Sequence, residues 1–91
     1  MLDISIQIVN YKTKKYLLDC VDSVIHDLEN TNIFYKILIL ENNSGENLCD
    51  LEEKYKTEKI SFYYSDKNLG FGGGHNFLSK KQTSKYLFIL N

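Results

Sequence analysis

Asn68-Leu69-Gly70-Phe71-Gly72-Gly73-Gly74-His75-Asn76 holds four of the five glycines of this 91-residue chain. A strand-like run, residues 60–64, precedes this glycine segment, and a helix-like run follows it. Glycine serves where the backbone takes positive φ or approaches a ligand closely, so the segment predicts a binding turn between a strand and a helix. A dinucleotide fingerprint would follow the first strand and would place glycine or alanine where His75 stands, so we expect no Rossmann dinucleotide site.

Outward from the glycine segment, short apolar runs alternate with amphipathic ones. The apolar runs predict four strands, at residues 4–9, 35–40, 60–64 and 86–90. Helical spacing of leucine and valine predicts a first helix from about residue 13 to residue 29, and a third helix is expected from about 71 to 82. Ser44 is expected to cap a second helix. This alternation predicts an α/β fold with an open, mainly parallel four-stranded sheet and covering helices.

Ligands of such open sheets bind beyond the carboxyl ends of the strands, where the strand order reverses. The predicted strands place four loops there, at residues 10–11, 41–44 and 66–76 and at Asn91. These loops are the candidate site.

Composition restricts the class of protein. Ninety-one residues suit one small domain, residues 1–91, and a net charge of −1 with lysine as the sole basic residue type gives no footprint for nucleic acid. No run is long enough to span a membrane and no signal peptide is evident, so we expect a cytoplasmic location. Cys20 and Cys49 fit neither a zinc spacing nor a redox pair, and we expect reduced, buried thiols.

Four motifs follow one another in a characteristic order: Val9-Asn10-Tyr11, Leu40-Glu41-Asn42-Asn43-Ser44, Asn68 to Asn76, and Tyr86 to Asn91. Together they resemble glycosyltransferase family 2 over essentially the whole chain, and most of all its rhamnosyltransferase-like bacterial branch. The resemblance implies a GT-A fold of Rossmann-like type with the sheet order 3-2-1-4. It also implies that this chain is the half that binds the nucleotide of a sugar donor.

The resemblance assigns site residues as well. Tyr11 matches a position beside the nucleobase, and Glu41 matches an acid, usually aspartate, that accepts a hydrogen bond from the pyrimidine N3–H. His75 stands where relatives often carry arginine. The residues expected to contact the nucleotide are Val9, Asn10, Tyr11, Glu41, Asn43, Ser44, Asn68, Gly70, His75 and Asn76. Asn43 and Ser44 fit a turn equally well, and Asn68 and Asn76 also suit a role in fixing the loop and helix.

In relatives, the acidic motif that holds a divalent metal comes just after the position of Asn91. We therefore expect no catalytic and no metal-binding residue in residues 1–91, and no activity from this chain alone. For the parent enzyme the resemblance implies Mg²⁺ or Mn²⁺ and inverting transfer from a UDP- or dTDP-sugar. The acceptor would be a bacterial glycan or lipid-linked molecule of polysaccharide biosynthesis, and peripheral membrane contact stays open.

Two alternatives remain from the residues themselves. One is an autonomous, non-catalytic module that binds a nucleotide or a protein. The other is a receiver-like domain, which needs several acids at strand ends, where Glu41 alone fits. The apolar fourth strand adds an expectation about assembly: an uncovered edge invites pairing, so we expect a homo-oligomer formed through residues 84–91.

Overall fold

The computed structural model describes residues 2–90, so the strand-end prediction at Asn91 lies outside the described residues. Strands and helices alternate along the chain as predicted. The elements are β1 (Leu2–Asn10), α1 (Lys14–Leu28), β2 (Tyr35–Glu41), α2 (Cys49–Lys54), β3 (Ile60–Tyr64), α3 (Gly70–Ser79) and β4 (Ser84–Leu90). None of these helices has the length and apolarity that crossing a membrane requires.

The four strands form one parallel sheet in the order β3-β2-β1-β4. In the centre, Ile6 of β1 is in register with Ile37 of β2 on one side and with Phe88 of β4 on the other. The α/β class and the strand order 3-2-1-4 are both confirmed. The order reverses between β1 and β4, and β1 and β2 therefore carry the loops nearest the middle of the carboxyl edge.

Helices cover both faces of the sheet because alternate residues of a strand point to opposite faces. On one face, isoleucines of β1 and β2 pack with Leu17 and Val21 of α1 and with Leu51 of α2. On the other face, Leu38 and Leu40 of β2 pack with Leu78 of α3. The near-continuous apolar sequence of β2 follows from burial on both of its faces.

Several local predictions were wrong. Ser44 does not cap α2, which begins at Cys49 with Leu48 at the cap position; the Ser44 side chain instead donates to Glu41. The third helix ends at Ser79, three residues before the predicted end, and a turn leads to β4.

The two cysteines differ from each other. Cys20 is partly buried in α1, where burial raises the pKa of its thiol, as expected of a thiol packed against the core. Cys49 is exposed, so the expectation of a buried thiol was wrong there. Its place at the start of α2, outside the helix face that carries Leu51 into the core, accounts for the exposure.

β4 is one of the two edge strands and is less covered than its apolar sequence predicts. Leu87 and Ile89 lie beside β1 residues of the α3 face, whereas Tyr86 and Phe88 lie beside those of the α1 face. These four side chains remain between 46% and 66% exposed. Both faces of β4 are thus partly open, in addition to its outer edge.

Candidate functional site

A cavity of about 240 Å³ opens at the carboxyl edge of the sheet. It lies between the turn after β1 and the start of α3. The residues that line it are Val9, Tyr11, Thr13, Asn42, Asn68, Gly70 and Phe71. Four predicted site residues, Val9, Tyr11, Asn68 and Gly70, are therefore brought together in one cavity.

Tyr11 belongs to a tight turn between β1 and α1. Its ring is 41% exposed, and the Lys12 ammonium lies 5.4 Å from the ring centroid. Lys12 has a φ of +59°, a left-handed conformation that reverses the chain between strand and helix. This turn places Tyr11 in the lining of the cavity as a partly exposed aromatic residue.

Asn10, Glu41 and Ser44 form a buried hydrogen-bond network at the ends of β1 and β2. The Asn10 amide donates to Glu41 Oε1 at 3.2 Å, the Ser44 N–H donates to Glu41 Oε2 at 3.0 Å, and the Ser44 hydroxyl donates to Glu41 Oε1. The Glu41 side chain is held under the turn rather than among the residues that line the cavity, and Glu41 is only 4% exposed.

The hydrogen-bond count at Glu41 leaves room for one further donor. An ionised carboxylate has about four acceptor positions, and three are taken by Asn10 and Ser44.

Asn42 ties the glycine segment to the end of β2. Its amide donates to the Gly70 carbonyl at 3.1 Å, and its side-chain oxygen accepts from the Leu69 N–H at 2.9 Å and from the Ser65 hydroxyl at 3.1 Å. Asn68 adds a local bond, since its side-chain oxygen accepts from the Gly70 N–H at 2.8 Å. These bonds fix the start of α3, where Gly70 has a φ of +73° that favours glycine.

His75 lies away from the cavity, 5% exposed, between α3 and β1. The Gln7 side-chain amide is oriented so that both its nitrogen and its oxygen form hydrogen bonds. The nitrogen donates to His75 Nδ1 and to the His75 carbonyl, and the oxygen accepts from the Ser79 N–H, each at 3.1 Å. The ring of Phe71 packs edge-on to the imidazole, with 4.5 Å between centroids. Burial lowers the pKa of His75, and the hydrogen bond that Gln7 donates to Nδ1 places the proton of the neutral ring on Nε2.

The remaining predicted residues do not line the cavity. Asn43 is exposed in a left-handed conformation with a φ of +59°, and Asn76 is exposed on α3. Sequence reasoning left Asn42 open between a turn role and ligand contact, included Phe71 in a candidate loop without naming it as a contact, and did not identify Thr13. The position of Asn42 directly after β2 indicated a place at the carboxyl edge of the sheet. The place of Thr13 and Phe71 in the cavity lining depends on how α1 and α3 pack on the sheet.

A second, larger cavity of about 390 Å³ adjoins the first. Val9, Thr13 and Phe71 contribute to both cavities. The larger one continues along α1 past Tyr16 and Leu17 to Cys20, and its lining is mainly apolar. The smaller cavity is the one of the two that has side-chain amides in its lining, those of Asn42 and Asn68.

The acidic side chains near the site do not fit a divalent cation. Within residues 2–90, no three histidine, cysteine, aspartate or glutamate side chains converge as metal ligands. Mg²⁺ requires several oxygen ligands in octahedral geometry, and the Glu41 oxygens already accept from protein donors. Residues 2–90 therefore offer no set of oxygen ligands that fits Mg²⁺.

Comparison with protein-family models gives a match over most of the chain. A family model described as glycosyl transferase family 2 matches residues 5–91, which include every strand-end loop of the site. No curated protein matches the chain.

Proposed function

The chain belongs to glycosyltransferase family 2, and we propose that it binds the nucleoside diphosphate part of a UDP- or dTDP-sugar at the strand-end cavity. One observation carries the proposal: the exposed ring of Tyr11 and the fixed glycine turn at Gly70 face the same cavity. An aromatic face suits a nucleobase, and the free N–H groups at the start of α3 favour anionic or polar ligand atoms.

The size and chemistry of the cavity support binding of the nucleoside in particular. At about 240 Å³ it is smaller than typical sites for whole small molecules, which measure roughly 300–1,000 Å³. Glu41 does not line the cavity, but its carboxylate has one acceptor position without a donor among the described residues, and we propose that the N3–H of uracil or thymine reaches it when the nucleoside binds. Cytosine has no N–H at that position, so the pyrimidine would be uracil or thymine.

For the complete enzyme we propose a reaction in addition to nucleotide binding at this site. We propose inverting sugar transfer from a UDP- or dTDP-sugar to a bacterial glycan or lipid-linked acceptor in polysaccharide biosynthesis, by an enzyme of the rhamnosyltransferase-like branch. Mg²⁺ or Mn²⁺ is proposed for that enzyme, and no step is assigned to such an ion through residues 2–90, which do not fit it. A cytoplasmic location, peripheral membrane contact and self-association through β4 are part of the same proposal.

Nuclear magnetic resonance titration tests the binding proposal directly. UDP and dTDP should bind at roughly millimolar affinity, about −4 kcal/mol, and should shift the amide signals of the turn at Tyr11 and of the glycine segment. CDP is the matched control, because it lacks the N3–H, and it should bind more weakly. Shifts confined to other parts of the chain, or no saturable shift with either nucleotide, would contradict the proposal.

A pair of neighbouring variants sharpens this test. Tyr11→Ala removes the stacking surface and should weaken UDP binding by about tenfold, since stacking on an aromatic ring contributes roughly 1–3 kcal/mol. Lys12→Ala removes a charge from the same turn, at a position with a left-handed backbone conformation in the wild-type chain. It should change the UDP affinity by less than about threefold. Equal effects of the two variants would point to the turn's charge rather than to stacking.

A further inference from the structure

A single carboxylate oxygen holds both ends of the turn that carries Tyr11. Glu46 Oε1, in the loop after β2, accepts from the Asn10 side-chain amide at 3.0 Å and from the Lys14 N–H at 3.2 Å. Asn10 ends β1 and Lys14 begins α1, so only residues 11–13 lie between the two bonds. The turn is thereby fixed from outside by a residue more than thirty positions away in sequence.

The chemistry at this point favours a charged acceptor. The N–H groups of the first turn of a helix lack partners within the helix, and the helix dipole there attracts negative charge. Thr13, at the cap position of α1, does not cap the helix with its side chain. Its hydroxyl instead donates to the Asn10 side-chain oxygen at 2.9 Å. Glu46 thus supplies the cap that the local sequence does not.

The same network links Glu46 to Glu41. The two hydrogens of the Asn10 amide go to one carboxylate each, Glu41 at 3.2 Å and Glu46 at 3.0 Å. With the Thr13 bond, every polar atom of the buried Asn10 side chain is engaged. Loss of Glu46 would free one amide hydrogen of Asn10 and the first N–H of α1 together.

We propose that Glu46 is a positioning residue for nucleotide binding, which acts by holding Tyr11 in its stacking position. This inference rests on the proposed function, because the nucleotide that stacks on Tyr11 is the ligand proposed there. The Tyr11 ring is 41% exposed, so its position depends on the backbone of the turn more than on packing of the ring. A fixed turn presents the ring without an ordering cost when the base arrives.

A double-mutant cycle with UDP as the probe tests the proposal. Glu46→Ala should weaken UDP binding by about tenfold in the wild-type background, the scale of one hydrogen bond to a charged group. In the Tyr11→Ala background the same change should cost less than about twofold, because the ring that Glu46 positions is gone. Glu46→Gln keeps an acceptor oxygen and should restore most of the affinity.

Glu53→Ala is the matched control, since Glu53 is exposed and pairs with Lys56 at 3.5 Å, away from the turn. It should leave UDP affinity unchanged in both backgrounds. Equal losses from Glu46→Ala with and without the Tyr11 ring would overturn the proposal, because Glu46 would then act independently of Tyr11. A loss that Glu46→Gln fails to reduce, while the protein stays folded, would also contradict it.

A measurement without nucleotide separates this inference from the proposed function. In the nucleotide-free protein, Glu46→Ala should speed hydrogen exchange of the Lys14 amide by at least about tenfold and shift the Tyr11 signals, whereas Glu53→Ala should do neither. Unchanged exchange would overturn the positioning role. Failure of the wild-type chain to bind UDP or dTDP would contradict the proposed function, and the exchange result would still decide whether Glu46 holds the turn.

Discussion

Gly74 of α3 lies so close to Val9 of β1 that a β-carbon at position 74 would stand 3.0 Å from Val9 Cγ2 and 3.1 Å from Val9 Cγ1. Leu40 Cδ2 of β2 would be 3.3 Å away. The missing side chain lets α3 sit directly on the junction of β1 and β2. This contact places the first turn of α3, with Gly70 and Phe71, over the carboxyl edge where the cavity opens.

Gly74→Ala should therefore destabilise the protein although it improves helix propensity. The gain of about 1 kcal/mol for alanine over glycine is outweighed by overpacking of about 1–3 kcal/mol. Gly72→Ala is the control, because a β-carbon there meets nothing within 4 Å, and it should stabilise by about 0.5 kcal/mol. Urea unfolding of both variants measures whether each change raises or lowers the free energy of unfolding. A stabilising Gly74→Ala would show that Val9 moves aside freely.

Asn42→Ala should loosen the start of α3. Asn42 is buried and holds Leu69, Gly70 and Ser65 through three hydrogen bonds, so its loss should cost about 2–4 kcal/mol. Asn43→Gly is a neighbouring control, since Asn43 is exposed with a φ of +59° that glycine adopts without strain.

Amide hydrogen exchange localises the effect of Asn42→Ala. Faster exchange should appear at residues 69–73, with little change in β1. A uniform rise in exchange across the chain would indicate global destabilisation and would contradict a local role for Asn42.

His75 makes stability depend on pH in a defined direction. Burial lowers the pKa of His75 in the folded state, and no acceptor among the described residues lies at its Nε2. The unfolded chain, with a pKa of about 6.5, then binds more protons, so this contribution is complete above pH 6.5 and is lost as pH falls towards the folded-state pKa. In that window the free energy of unfolding should fall by up to about 1.4 kcal/mol per pH unit from this group.

Replacement of His75 isolates its share of the pH dependence. His75→Gln should give a flatter stability profile than the wild-type chain below about pH 6.5. The measured quantity is the slope of the free energy of unfolding against pH. A loss of stability in His75→Gln that is the same at every pH does not change this slope. Identical slopes in wild type and His75→Gln would show that His75 is not the group responsible.

The fold could be predicted from sequence because its signals are local. Alternation of apolar strands with helical periodicity fixes the α/β class, and each strand prediction fell within about two residues of the observed strand. Ser44 failed as a helix cap because its hydroxyl donates to Glu41 instead. A propensity for capping does not reveal which acceptor a loop brings near.

The candidate site was less accessible to sequence reasoning, since its parts meet only in the fold. Glu46 reaches Asn10 across 36 positions, a pairing that has no periodic signature. The glycine segment was recognised, but not all of its glycines serve a turn: Gly70 takes positive φ, whereas Gly74 permits close packing. Sequence alone does not distinguish these two uses.

The exposed strand β4 leads to a prediction about assembly. It is the last strand in the sheet order, so its outer backbone groups lack a neighbouring strand among the described residues. Lys85 is the charged side chain within the strand, and the Lys81 ammonium, shortly before the strand, lies over the rings of Phe77 and Tyr63. One lysine is a weak barrier to pairing for a strand with four exposed apolar side chains.

We expect the chain to form a dimer or higher oligomer through residues 84–90, by strand pairing at the edge or by packing of the open faces of β4. Sedimentation should show an average mass that rises with concentration up to about 0.1 mM.

Ile89→Lys adds a second charge to β4 and should shift the chain towards monomer, because edge lysines oppose strand addition. Phe34→Lys is the control, since Phe34 is 69% exposed but precedes β2, and it should leave association unchanged. A wild-type chain that stays monomeric at about 0.1 mM would show that the edge is protected, and equal effects of the two lysine variants would show that general surface hydrophobicity, not β4, drives association.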